Sequence, residues 1–126
     1  MNSPWRDDGA RFEVDLISDV ALGRTVRVCG EVDMATSARL REAFMAAADG
    51  SGDVTVDLAQ VTFADTHLGH DLVELRVRQE GYGHRLNVVN IPTRVRRLLV
   101  LANFAPDLGG AVEDAVGVNP GVNPAG

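Results

Sequence analysis

Val56-Asp57-Leu58-Ala59-Gln60-Val61-Thr62-Phe63-Ala64-Asp65-Thr66-His67-Leu68 carries the chain from one kind of periodicity into another. Upstream, Asp53 to Leu58 alternates polar and apolar residues and is rich in β-branched side chains, the pattern of a strand near the middle of a sheet. Val61 and Phe63 follow it. Downstream the period becomes helical, from residues 65–67 to about Glu80. Leu68, Gly69, Leu72, Val73, Leu75 and Val77 share one broad arc, and His67, His70, Asp71, Glu74 and Arg78 the other. A strand that runs straight into a helix leaves free backbone N–H groups and a positive dipole end at the junction. Asp65 or Thr66 is the expected cap there.

The same alternation of elements extends in both directions. Gly81-Tyr82-Gly83 stops the helix, Leu86 to Val89 reads as a strand, and Pro92 begins a further helix at a position that tolerates proline. Val95, Leu98, Leu99 and Ala102 form its core face, Arg94, Arg96 and Arg97 lie outside, and Pro106 is expected to close it. Toward the N-terminus, Thr36 or Ser37 caps a helix whose Leu40, Ala43, Phe44 and Ala47 fall at i, i+3, i+4 and i+7, and Asp49-Gly50-Ser51-Gly52 ends it. Thr25 to Cys29 and the alternating Phe12, Val14, Leu16 are two earlier strands, with a turn at Gly23; the charges on the first mark it as an edge. The order is β-β-α-β-α-β-α, with a last short strand expected near Ala111-Val112. Such a chain is α/β, a mixed β-sheet with parallel crossovers and helices mainly on one face.

The 126 residues suit one domain. We expect residues 1–10 to be a flexible N-terminus, 11–112 the folded domain, and 113–126 a flexible tail in which Gly-Val-Asn-Pro occurs twice. Eighteen acidic side chains against twelve basic ones give a net charge of −6, which argues against a nucleic-acid binder or an anionic membrane surface as partner. Apolar runs such as Leu98 to Ala102 are far too short for a membrane span. The first ten residues lack the apolar stretch of a signal peptide, so a cytoplasmic location is expected. Cys29 is the single cysteine; it has no intrachain disulfide partner and is expected to be a small buried thiol.

Catalytic constellations do not assemble. His67, His70, Asp71 and Glu74 share a helix face, but one helix rarely completes a coordination sphere, so a solvated polar face is expected and no metal. Leu68 stands where a zinc protease would carry glutamate, and Gly50-Ser51-Gly52 has no lysine after it to make a phosphate loop. Asp65, Thr66 and His67 are adjacent in sequence, which prevents them from stacking as nucleophile, base and orienter. Neither an enzyme nor a cofactor is expected. Arg94, Arg96 and Arg97, with Arg85 upstream, form a basic corner, either the solvated side of a helix or a docking patch for an acidic partner.

Three segments in order resemble the STAS family: Gly30-Glu31-Val32-Asp33, Val56 to Thr66, and Pro92-Thr93-Arg94-Val95-Arg96-Arg97-Leu98-Leu99. They look like the family's G-E-[LV]-D turn, its V-x-D-L-x-x-V-x-F-x-D-S segment and its P-x-x-V-R-R-x-L helix start, and the resemblance they carry is taken to extend over about residues 12–108. The likeness is greatest to bacterial anti-sigma factor antagonists. It implies a regulatory protein that binds an anti-sigma factor of the ATP-binding kinase type, frees a sigma factor, and does not itself touch nucleic acid. In that family the kinase phosphorylates a serine in D-S-S-G-[LI], and the added charge breaks the complex. By this resemblance Asp33 falls on the acidic residue of the partner-contacting turn, Asp65 on the motif aspartate and Thr66 on the first hydroxyl residue. His67 falls on the phosphorylated serine and Leu68 on the glycine. An imidazole does not accept a phosphoryl group from a serine kinase in the same geometry, so the usual switch is expected to be lost. Thr66 is the remaining hydroxyl, one residue away and aimed elsewhere. The alternative is a divergent STAS module serving as scaffold, sensor or transporter-associated subunit.

Overall fold

Valines at alternate positions put one face of every strand into the core. The computed structural model describes residues 12–19 and 23–109, and the expected termini at 1–10 and 113–126 and the short strand near Ala111-Val112 lie outside them. Four strands, β1 (Phe12–Asp19), β2 (Gly23–Val32), β3 (Val54–Ala64) and β4 (Leu86–Val89), form one sheet in the order β1-β2-β3-β4. β1 is the edge strand that its charges announced, antiparallel to β2, whereas β2–β3 and β3–β4 are parallel. Each parallel pair needs a crossover, supplied by helices α1 (Ser37–Ala47) and α2 (Thr66–Gly81). After β4 come α3 (Thr93–Leu101) and the short α4 (Ala105–Leu108).

Phe12, Val14, Val26, Val28, Val54, Val56, Leu58, Leu86 and Val88 make the buried sheet face. Leu40 and Phe44 of α1, Leu68, Leu72 and Leu75 of α2, and Val95 and Leu99 of α3 cover it. Each such side chain contributes about 1.5–3 kcal/mol when taken from water. On the opposite face Glu13, Asp15, Thr25, Arg27, Cys29, Thr55, Asp57, Asn87 and Val89 all remain at least partly exposed. The helices therefore sit on one face, as the pattern predicted.

Several local expectations change. β3 runs on to Ala64 because two extra residues enter its pairing with β2, between Asp57 and Gln60 and between Val61 and Phe63. These bulges break the alternation that the sequence pattern follows. Asp71, assigned to the solvated side of α2, is 5% exposed, and Val77, assigned to the core arc, is 63% exposed. The helix packs on α1 as well as on the sheet, which turns its covered stripe to Leu68, Asp71, Leu72, Leu75 and Gln79. Gln79 is fully buried, its amide donating to the carbonyls of Gly52 and Arg85 and so tying two loops together. Pro106 does not close α3, which ends at Leu101; it sits in the first turn of α4, where its missing N–H costs nothing. Cys29 is half-buried on the open sheet face instead of in the core.

Gly69 sits where α2 meets Phe104. A Cβ there would lie 2.2 Å from the Phe104 ring, which is itself buried and packed edge-on against His70. Gly69→Ala is expected to lower stability by about 1–3 kcal/mol through this overpacking, outweighing any gain in helix propensity. Urea unfolding of the two proteins checks it.

Candidate functional site

Because β2 and β3 run parallel, they end at the same edge of the sheet, and the helices that follow begin there. The two junctions are stitched together: the Asp65 N–H donates to the carbonyl of Val32 at 3.1 Å. This brings the Asp33 turn and the residues 65–68 into one corner, from segments thirty residues apart in sequence.

Asp65 is the cap of α2. It is in extended conformation and its Oδ1 accepts from the His67 N–H at 2.9 Å. The same oxygen lies 2.8 Å from His67 Nδ1. A carboxylate can only accept, so Nδ1 carries the proton and Nε2 is the ring atom left for other partners. His67 is thus folded back on its own cap. Thr66 is exposed and Leu68 is fully buried in the core. The four corner residues therefore divide: Asp65, Thr66 and His67 present polar groups at the surface, while Leu68 anchors the helix start from below.

Asp33 is also a structural residue. Its Oδ1 accepts from the backbone N–H of Ala35 at 2.9 Å and of Thr36 at 3.2 Å. Thr36, expected as a helix cap, makes no such bond; its buried hydroxyl donates to the Glu31 carbonyl and accepts from the Asp33 N–H. These bonds hold the turn in one shape. Met34, at its tip, is 78% exposed, and Phe63 beside Glu31 is 47% exposed. Met34 was not singled out from the sequence; an apolar residue lodged between Asp33 and Ala35, outside any strand or helix period, was the available signal for it.

Behind the corner lies a polar clamp between α1 and α2. The Ser37 hydroxyl donates to Asp71 Oδ2 at 2.7 Å, and Arg41 forks onto Glu74 at 3.1 and 3.2 Å, with its Nε 3.8 Å from Asp71 Oδ1. Burial pushes the Asp71 carboxyl above its usual range; the Ser37 hydroxyl and the Arg41 charge pull it back, and Glu74 adds to the rise. On the open sheet face, burial and the neighbouring Glu13 and Asp15 raise the Cys29 thiol, so it is not an activated nucleophile. His67, His70, Asp71 and Glu74, the candidate metal set, face four different partners: Asp65, Phe104, Ser37 and Arg41.

The chain matches the family described as Mlab, STAS domain, over residues 21–109. It belongs to the STAS family. No curated protein matches it. Among solved structures it is similar to the anti-sigma factor antagonist SpoIIAA in its unphosphorylated form, at 16% identity and a TM-score of 0.64, covering 74% of this chain and 83% of that one. It is likewise similar to an anti-sigma factor antagonist from Mycobacterium paratuberculosis, at 23% identity and a TM-score of 0.65, covering 82% and 83%. The resemblance read from the three segments is thus borne out for family and fold. No described helix of this STAS domain is long and apolar enough to cross a membrane.

The clamp gives two expectations. Ser37→Ala leaves one Asp71 oxygen without its donor and is expected to cost about 1–3 kcal/mol in urea unfolding. Because the Asp71 carboxyl holds its proton more tightly folded than unfolded, its contribution to stability falls as pH rises from about 4 toward neutrality. Asp71→Asn cannot ionise, so the stability difference, wild type minus variant, is expected to shrink or turn negative over that range. A difference that grows with pH would contradict the sign.

Proposed function

We propose that this STAS domain is an anti-sigma factor antagonist that acts by binding, not by catalysis, and that it docks an anti-sigma factor of the ATP-binding kinase type through the β2–α1 turn and the β3–α2 corner. The observation that carries this reading is the Asp65–Val32 bond, which holds the turn of Asp33 and Met34 next to the helix start of Asp65, Thr66 and His67. Met34 and Phe63 add exposed apolar area beside polar groups held in fixed positions, a composition suited to a partner surface. Release of the sigma factor follows from occupancy of its inhibitor.

The usual phosphoserine position holds His67, so we further propose that this protein binds without being switched off at that residue. Its imidazole is committed to Asp65 and offers no hydroxyl. Thr66 is the exposed hydroxyl of the corner; a phosphate there would add about −1.5 to −2 charges beside Asp65.

Capture from a bacterial lysate with the full chain is expected to recover a small ATP-binding protein of kinase fold. Recovery of a permease complex would favour the transporter-associated alternative. Met34→Asp, which disturbs no buried group, is expected to weaken that complex at least about tenfold, a change of about 1.4 kcal/mol. Asp33→Ala should weaken it as well; if both variants bind as tightly as the parent, the docking corner is misplaced. After incubation with the captured kinase and ATP, mass spectrometry is expected to show no phosphate on residues 65–68, and phosphate on Thr66 would sink the unswitched reading.

A further inference from the structure

β4 accompanies β3 only from Val54 to Asp57, whereas β3 continues for seven residues to Ala64. Past Asp57, that side of β3 has no strand partner among the described residues. The chain leaves the sheet at Asn90, whose φ of 55° breaks the extended path, and then starts α3 beside the uncovered length of β3. A groove of about 450 Å³ remains between them, lined by Val61, Thr62, Pro92, Thr93, Arg94 and Val95. Its floor is apolar: Val61 and Val95 are 6% and 2% exposed. Its rim is basic. Arg94 is exposed and reaches across to the Thr62 carbonyl at 3.3 Å, and Arg97 is exposed on the next turn.

Thr62 is the residue skipped between Val61 and Phe63 in the pairing with β2. It lines the groove, and its carbonyl is taken by Arg94. A guanidinium to carbonyl contact of this length, at an exposed site, yields readily to a carboxylate, which accepts two N–H bonds from the same fork. On a chain of net charge −6, this groove concentrates positive charge next to an apolar floor and an unpaired stretch of strand.

We infer that this groove docks an extended, acidic peptide segment of a partner protein. An apolar side chain of the segment sits on Val61, Pro92 and Val95, and a carboxylate on its flank engages Arg94. Arg94 then releases the Thr62 carbonyl to accept an N–H from the peptide, the main-chain bonding by which an added strand gains affinity. The basic corner thus has a use apart from the Asp33–His67 surface, and the inference does not rest on the identity of the kinase partner.

The test is a titration of the full-length, nitrogen-15-labelled chain with a synthetic hexapeptide of alternating valine and glutamate, against one of alternating valine and lysine. The acidic peptide is expected to move the amides of Val61 to Phe63 and Thr93 to Val95, more weakly as salt is raised, while the basic peptide moves none of them. Arg94→Glu is expected to weaken binding at least about tenfold, a substitution at an exposed site that leaves the fold intact. Met34→Asp is expected to leave it unchanged, which separates this groove from the proposed kinase-docking corner. No shift with the acidic peptide, equal shifts with the basic one, or shifts confined to residues 65–68 would overturn the inference. So would concentration-dependent shifts of the groove amides without peptide, since these identify a second copy of the chain as the occupant.

Discussion

The parallel pairing of β2 with β3 is the constraint on which the corner of Asp33 and Asp65 depends. Parallel strands finish at the same sheet edge, and each must be followed by a crossover, so the starts of α1 and α2 are delivered side by side. The Asp65 to Val32 hydrogen bond converts that proximity into a fixed distance between the two loops. Open α/β sheets commonly place recognition at the carboxyl ends of their strands for this reason. The chemistry of the corner is modest, and its worth lies in being held still.

Stillness is reinforced from behind. Ser37 belongs to the first turn of α1, just after the Asp33 turn, and Asp71 lies one helical turn after His67. Their 2.7 Å bond ties the two helix starts together beneath the surface that a partner would meet. A buried carboxylate is a costly way to join helices, since burial opposes its charge. Leucine pairs would pack without that cost, but they would also slide. A hydroxyl-to-carboxylate bond has one length and one direction, which suits a surface whose two halves come from different helices.

Much of this was legible in the sequence. The alternation in Asp53 to Leu58 and the arc of Leu68, Leu72 and Leu75 specified strand and helix, because burial on one side repeats with the geometry of the element. A cap at Asp65 or Thr66 followed from their place between the two, and Asp65 is the one that caps. What escaped were the features set by a second neighbour. Asp71 looked solvated because on an isolated wheel it lies opposite the sheet, and only the approach of α1 buries it. Val77 looked buried for the complementary reason. The bulges in β3 were hidden because Ala59, Gln60 and Thr62 interrupt the alternation without any glycine or proline to mark the break. Asp33 and His67 were placed at the corner by resemblance, and the bonds that hold them there, to Ala35, Thr36 and Asp65, depend on backbone geometry that no spacing rule encodes.

Those two bulges divide β3 into lengths with different duties. From Val54 to Asp57 the strand is locked on both sides and keeps strict inside–outside order. From Leu58 to Ala64 it keeps one neighbour and carries two residues more than that neighbour spans. The second length behaves as an adjustable bracket: inserting or removing a residue there would rotate Asp65 and everything after it by half a pleat while the valines upstream stayed seated. A change of length in the bracket would therefore re-aim the corner at Asp65, with the core left as it was.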